Sequence, residues 1–292
     1  MDLDHLQLFR DIVSARSISR GAQVHGVTQS AASQAVQELE RTLDVQLLDR
    51  SHRPLEVTPA GKTFYEFARD VLRRQQQLST ELDELRGPSS TPVRIASIYS
   101  IGLTEMARLE RSFADRFPEG KVEVDYLRPE KVYEAVLEDR ADLGLVSYPE
   151  LARDLVVLNW REELMVVAAA PAHPLSRMPR VRAADLDGVD FIAFDEDLPI
   201  SRHIEHFLHD AGVHVNKRLH FDNIQSMKEA LLLGQAVSIL PAPMLRAEVA
   251  DGRMRAIEMI PTMRRPLGIL HRRRPLPRSV QAFLDVLRLP SA

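Results

Sequence analysis

Residues 18–40 read ISRGAQVHGVTQSAASQAVQELE. A short helix pattern runs to His25, Gly26-Val27 breaks it, and Thr28 stands where a helix N-cap belongs, because its hydroxyl can accept an otherwise unpaired backbone N–H. The helix that follows is apolar on one side, with Ala32, Val36 and Leu39, and carries Gln29, Ser30, Ser33, Gln34 and Gln37 on the other. Two short helices joined by a glycine turn make a helix-turn-helix. An uncharged face of amides and hydroxyls suits the reading of base edges, since a Gln amide can pair bidentately with adenine. A surface helical hairpin has the same outline, so the flanking sequence has to decide.

Residues 47–61, LLDRSHRPLEVTPAG, follow directly. Pro54 and Pro59 break any helix, and Leu55 and Val57 alternate around Glu56, which predicts a short strand pair. This reads as a wing whose Arg50 and Arg53 reach phosphates or the minor groove. From about residue 60 to 86 a single long helix is predicted. Phe64, Ala68, Val71, Gln75, Leu78, Leu82 and Leu85 are spaced 4-3-4-3-4-3, a coiled-coil seam with one polar interruption. At 1.5 Å per residue this is a rod of roughly 40 Å. A seam of that length calls for a partner, and the natural one is the same helix of a second copy. Gly87-Pro88 and the Ser-Ser-Thr-Pro run to Pro92 end it.

Residues 1–62 resemble the winged helix-turn-helix of the LysR-type transcriptional regulators. The resemblance rests on Leu6, Phe9, Ala22, Thr28, Gln29, Ser30, Ser33, Leu39, Glu40 and Leu43, and in the wing on Leu47, Arg50, Arg53, Thr58, Pro59, Ala60 and Gly61. It extends past the linker helix to the end of the chain in length and domain order. The family usually has alanine, leucine, glycine and phenylalanine where this chain has Gly21, His25, Asp44 and Leu48. His25 would face the small core of this domain, where it either costs stability or finds a polar partner.

Composition narrows the remaining classes. The 292 residues suffice for two or three domains, and a 45% hydrophobic content supplies a sizeable core. With no Cys there is no disulfide framework, thiolate metal site or cysteine nucleophile. No apolar run approaches 18 residues, so no membrane span is predicted. MDLDHLQLFRDIVSA enters an amphipathic helix directly and does not read as a signal peptide, so a cytoplasmic location is expected. Residues 1–88 hold 11 Lys and Arg against 13 Asp and Glu, a net of −2, where a nucleic-acid-binding domain is usually basic. Several of the acids (Asp2, Asp4, Glu81, Asp83, Glu84) lie at the ends of the segment, and the predicted reading helix has none before Glu38. Modest affinity per subunit is therefore expected, with an oligomer summing weak contacts.

Beyond Pro92 the pattern becomes α/β. VRIASI (93–98), VEVDYL (122–127) and ADLGLV (141–146) read as strands, separated by helices over 103–117 and 131–139. LMVVAAA (164–170) opens a second unit, with FIAF (191–194), RLHF (218–221) and AVSIL (236–240) as strands and helices near 202–211 and 224–233. The Pro-rich stretches 171–179 and 261–277 read as loops, and 279–289 as a final helix. Strand–helix alternation predicts parallel sheets covered on both faces. Two such units crossed twice by the chain form a cleft, with ligands at the carboxyl ends of the strands. This resembles the regulatory domain of the same family, which looks like a periplasmic binding protein.

The expected organisation is thus an N-terminal all-α winged helix-turn-helix over 1–59, a linker dimerisation helix over 60–88 and an effector-binding α/β regulatory domain over 92–292. Its subdomain I covers about 92–162 and 266–292, and subdomain II about 163–265. Strand-end positions nominate Ser100, Ile101, Arg128, Pro129, Ser147, Ser201, Arg202 and Asn223 for the cleft. Helix N-termini attract anions and Arg128 and Arg202 add positive charge, so a small ligand with a carboxylate or other anionic group is expected.

His203, His206 and His209 recur every three residues. They fan round a helix too widely for one ion, and no metal is assigned. Arg272-Arg273-Arg274 reads as a solvated loop. No Walker loop, G-x-S-x-G, H-E-x-x-H or G-x-G-x-x-G occurs, so no cofactor is assigned and an enzyme has no positive support. The expectation is a ligand-responsive regulator binding double-stranded DNA at a dyad-symmetric operator. The resemblance further implies a dimer of dimers, RNA polymerase as a further partner, and effector-dependent cleft closure that alters subunit packing. Two rivals are a solute-binding protein with a helical appendage, which needs an export signal, and an α/β enzyme whose N-terminal helices serve only oligomerisation. DNA affinity separates both from the regulator.

Overall fold

A computed structural model describes residues 2–51, 55–86 and 92–289, and the chain divides into two units, 1–87 and 88–292. In the first unit α1 (Leu3–Ala15), α2 (Ile18–Val24) and α3 (Gln29–Leu43) precede a two-stranded ribbon of β1 (Leu48–Asp49) and β2 (Glu56–Val57), followed by α4 (Pro59–Arg86). Each of the first three helices starts on a side-chain cap: Asp2 accepts from His5 N, Ser17 from Arg20 N and Thr28 from Ala31 N. Gly26 takes φ +70° at the turn between α2 and α3, a left-handed conformation natural to glycine. Leu6, Phe9, Ile12, Ala22, Ala32, Val36 and Leu39 form the core, joined by Leu47, Leu48 and, from α4, Phe64, Ala68 and Leu72. Phe64 meets Phe9 edge-on at 5.0 Å.

Three of the departures noted in the sequence have a physical setting here. A Cβ on Gly21 would lie 2.6 Å from the Cα of Ile12, so glycine lets α2 approach the backbone of α1. Asp44 closes α3 in the left-handed conformation, a place where glycine is the usual choice. His25 caps the end of α2 with its Nδ1 3.6 Å from the Asp11 carboxylate, and its side chain is 20% exposed. It thus lies at the rim of the core and has a polar partner. The wing pairs antiparallel, Leu48 with Val57 and Asp49 with Glu56. Arg53 and Pro54 lie outside the described residues, as do the last two residues of the predicted linker, 87 and 88.

The second unit carries β3 (Val93–Ile98), α5 (Tyr99–Ala114), β4 (Val122–Leu127), α6 (Pro129–Leu137), β5 (Leu143–Ser147) and β6 (Leu155–Ala169). Then come β7 (Arg180–Arg182), β8 (Asp190–Phe194), α7 (Pro199–Asp210), β9 (Asn216–Phe221), α8 (Ile224–Leu231), β10 (Val237–Pro241), α9 (Arg246–Ala250), β11 (Arg255–Arg272) and α10 (Arg278–Leu287). The strand order is β4-β3-β5-β11-β6-β10-β8-β9, with β7 on β11. β3 is parallel to β4 and β5, and β8 to β9 and β10. The two crossing strands, β6 and β11, are antiparallel to each other and to their flanking strands β10 and β5. One core gathers Ile95, Leu109, Phe113, Leu143, Leu145 and Phe283, the other Val167, Phe191, Ile192, Met227, Ile239 and Leu240.

The expected loop over 261–277 is corrected. Most of it belongs to β11, the longest strand described, which spans both cores: Ile257 and Met259 lie in one, Leu267 and Ile269 in the other. Neither proline ends the strand. Pro261 follows a cis bond where the register breaks between Glu258 and Met263, and Pro266 pairs opposite Glu162 while its carbonyl accepts from Tyr148 N. β6 likewise begins at Leu155, nine residues before the predicted start at 164. The arginine run is held by its own chain: Arg272 ends β11, Arg273 N donates to Asp154 O, and Arg274 pairs with Asp139 at 2.8 Å.

Candidate nucleic-acid interface and ligand cleft

On α3 the division of faces is clean. Ala32, Val36 and Leu39 are buried, whereas Gln29, Ser30, Gln34 and Gln37 are exposed and Ser33 is half-buried. Thr28 is exposed as well, its Oγ1 3.4 Å from Ser30 Oγ. This presents a continuous neutral surface of donors and acceptors, able to meet either kind of base-edge group. Arg50 is held at the base of the wing: its Nη2 donates to Glu40 at 2.8 Å, and Glu40 also accepts from the backbone N–H groups of Leu47 and Leu48. That pairing fixes the wing to the end of α3 and partly neutralises the arginine. Thr58 anchors the far side, donating to Gln46 O and accepting from Gly61 N.

The cleft of the second unit holds a cavity of about 350 Å³. Five of the eight nominated residues line it: Ser100, Arg128, Pro129, Ser147 and Asn223. Ser100 lies in the first turn of α5, Arg128 is the N-cap of α6 with Pro129 next, Ser147 ends β5, and Asn223 caps α8 through Ser226 N. The other three do not line it. Ile101 is fully buried in the core. α7 starts at Pro199, ahead of its expected start. Ser201 therefore turns inward and donates to Phe194 O, while Arg202 is exposed, donating to Asp197 O and lying 3.7 Å from Glu150.

Three features of the cleft are not evident in the sequence. Arg128 is clasped by Asp197 through both carboxylate oxygens, at 2.7 and 2.9 Å. Arg265, only 1% exposed, pairs with Glu163 and points Nη1 at Ser100 Oγ, 3.0 Å away. It sits in the stretch read as a loop; the apolar run Leu267-Gly268-Ile269-Leu270 was the available sign of a strand. Tyr99 lines the mouth and stacks on Tyr126, whose ring occupies the space a Cβ on Gly102 would fill.

Beyond Arg265 the buried charges continue. Glu163 also faces Arg161 at 3.6 Å, and Glu105 takes Arg161 at 2.8 Å and Arg108 at 3.0 Å. Burial alone would raise the Glu105 pKa, but its bonds to Arg161 and Arg108 hold it below the ordinary value. Tyr148, stacked on His203 at 3.7 Å, has its pKa pushed up to about 12 by burial, against the opposing field of Arg265.

A head with an outward amide-and-hydroxyl helix, followed by a two-lobed α/β unit around a cavity, defines a ligand-responsive, DNA-binding type of protein. Residues 3–62 match the bacterial regulatory helix-turn-helix protein, lysR family, and residues 86–289 match the LysR substrate binding domain. The chain belongs to the LysR family of transcriptional regulators, and it is a regulator and not an enzyme. It is 25% identical to a probable RuBisCO transcriptional regulator of Cyanidioschyzon merolae, over 88% of this chain and 87% of that one. Among solved structures it is similar to full-length OxyR from Pseudomonas aeruginosa, at TM-score 0.74 and 19% identity, covering 100% of this chain and 96% of that one. It is also similar to full-length CbnR complexed with target DNA, at TM-score 0.67 and 21% identity, covering 99% of both. Among the described residues no helix is long and apolar enough to cross a membrane.

Proposed function

We propose that two copies of this chain pair through α4 and present two α3 helices to a dyad-symmetric operator, with half-sites about 34 Å apart per helical turn. Thr28, Gln29, Ser30, Ser33, Gln34 and Gln37 read base edges, and Arg50 and Arg53 meet the backbone or minor groove. The observation that carries this reading is the clean division of α3, buried at Ala32, Val36 and Leu39 and polar on its exposed side. The similar CbnR structure, a complex with target DNA, supports it. The cleft around Ser100, Arg128, Ser147 and Asn223 takes a small ligand with an anionic group. The protein works in the cytoplasm, pairs of dimers assemble, and RNA polymerase is a further partner. Gel shift against the region upstream of its own gene tests the reading face. Gln29→Ala and Ser33→Ala should each weaken binding about ten-fold, the loss expected for one base-edge contact. Curves that overlay the wild type would refute the assignment.

A further inference from the structure

The two arginines of the cleft are not electrostatically alike. Arg128 already faces two carboxylates: its Nη2 donates to both oxygens of Asp197, and Glu130 lies 3.5 Å from Nε, which makes no hydrogen bond among the described residues. Its Nη2 is thus engaged within the protein, and a ligand anion at that nitrogen would have to displace Asp197. Arg265 differs. It is buried, and its partner Glu163 is shared with Arg161. Its Nη1 faces the cavity through Ser100 Oγ at 3.0 Å. Ser147, also buried, lines the same cavity and pairs opposite Leu267, two residues along β11 from Arg265. A guanidinium away from water, drawing on a divided carboxylate, gains from a further anion far more than an exposed one does. The remaining wall is mixed: Ile98, Leu127, Phe194, Leu198, Ile224 and Met244 are apolar, while Asp222, Asn223 and Gln225 are polar. The apolar side chains and the Asp222 carboxylate together penalise a second negative charge on the ligand.

We infer that the ligand is a small monocarboxylate with a branched-alkyl or aryl body, its carboxylate seated on Arg265 Nη1 and Ser100 Oγ. Arg128 instead closes the mouth through Asp197. The inference rests on the reading of the cleft as the effector site. A cavity of about 350 Å³ suits a molecule of roughly ten non-hydrogen atoms.

The test is titration calorimetry on the full chain with 4-methylpentanoate and phenylacetate, each beside its uncharged primary amide. The acids should bind and the amides should bind at least about ten-fold more weakly, the loss of one charge-assisted contact. Ser100→Ala and Arg265→Lys should each weaken the acids about ten-fold, because lysine keeps the charge but loses the fork. Arg128→Ala should weaken the acids less than either of these, since its Nη2 is already engaged by Asp197. Ser100→Ala deletes only a hydroxyl, so it carries the test if Arg265→Lys melts early. Amides binding as well as acids would overturn the ligand class, as would neither acid binding at about 10 mM, the weak end of measurable affinity. Loss of binding in Arg128→Ala with the other two variants intact would overturn the inner seat while leaving the cleft as the ligand site. Operator binding by the same preparations reports separately on the regulator reading.

Discussion

At Gly21 a single hydrogen atom decides how closely two helices pack. An alanine there would gain about 1 kcal/mol of helix propensity. Its Cβ would also meet the Ile12 backbone at 2.6 Å, and overpacking of this kind costs about 1–3 kcal/mol. Gly21→Ala should therefore lower the urea midpoint by the equivalent of about 1 kcal/mol, the difference between those two effects. A raised midpoint would show that α1 and α2 part without cost. Tyr148 is a second such position. Its hydroxyl is buried and has no hydrogen-bond partner among the described residues, and its pKa stands at about 12 against an ordinary value near 10. The folded chain thus keeps this proton after the unfolded chain has released it, so stability falls as pH rises from about 10 towards 12. Tyr148→Phe should remove that loss and, at neutral pH, add about 1 kcal/mol by deleting an unsatisfied polar group. Melting curves of both proteins at pH 7 and pH 10.5 check it, the difference between them cancelling the other tyrosines. Identical pH dependence would refute it.

Among the elements, those with local signals were the legible ones. The cap at Thr28, the glycine at 26 and the stripe Ala32-Val36-Leu39 fixed α3 without reference to anything distant. β3, β5, β8 and β10 are nearly all buried and read as short apolar runs. The crossing strands were not legible. The first part of β6 is partly exposed along most of its length, so it shows neither a buried run nor a clean alternation, and in β11 two prolines imitate a loop. The cleft was read as far as its strand-end positions allowed. Arg265 was hidden because its burial depends on Glu163, 102 residues away. The α4 seam was legible in outline and divided in fact. Phe64, Ala68 and Leu72 pack within the first unit, while Leu78 and Leu82 are 55% and 44% exposed. A straight helix drifts against a seven-residue repeat, so Leu72 takes the core place that the strict repeat gave to Val71, which is half-buried. The side chain of Leu85 lies outside the described residues. The free half of the stripe is what a second copy would cover, each leucine contributing about 2 kcal/mol on burial. Leu78→Glu with Leu82→Glu should therefore give a folded protein of smaller assembly mass than the wild type by light scattering; an unchanged mass would place the pairing surface elsewhere.

For the whole molecule, the decisive quantity is how little one head can do alone. Residues 1–88 carry a net charge of −2, and Arg50 is partly neutralised by Glu40. The phosphate contacts that supply most non-specific affinity are therefore few. On the proposed pairing, affinity for an operator comes from joining two weak heads, so that the second binds at the high effective concentration set by the first. Such linkage multiplies affinity by about 10² or more without a new contact. The Leu78→Glu, Leu82→Glu protein leaves every proposed DNA-contacting and cleft residue intact. It should nevertheless lose about 100-fold in affinity for a two-half-site operator, while binding an isolated half-site as the wild type does. Phenylacetate should titrate both proteins alike, which separates loss of pairing from loss of fold. Equal affinity of the two proteins for the full operator would mean that a single head suffices, and that the neutral face of α3 binds far more strongly than its charge allows.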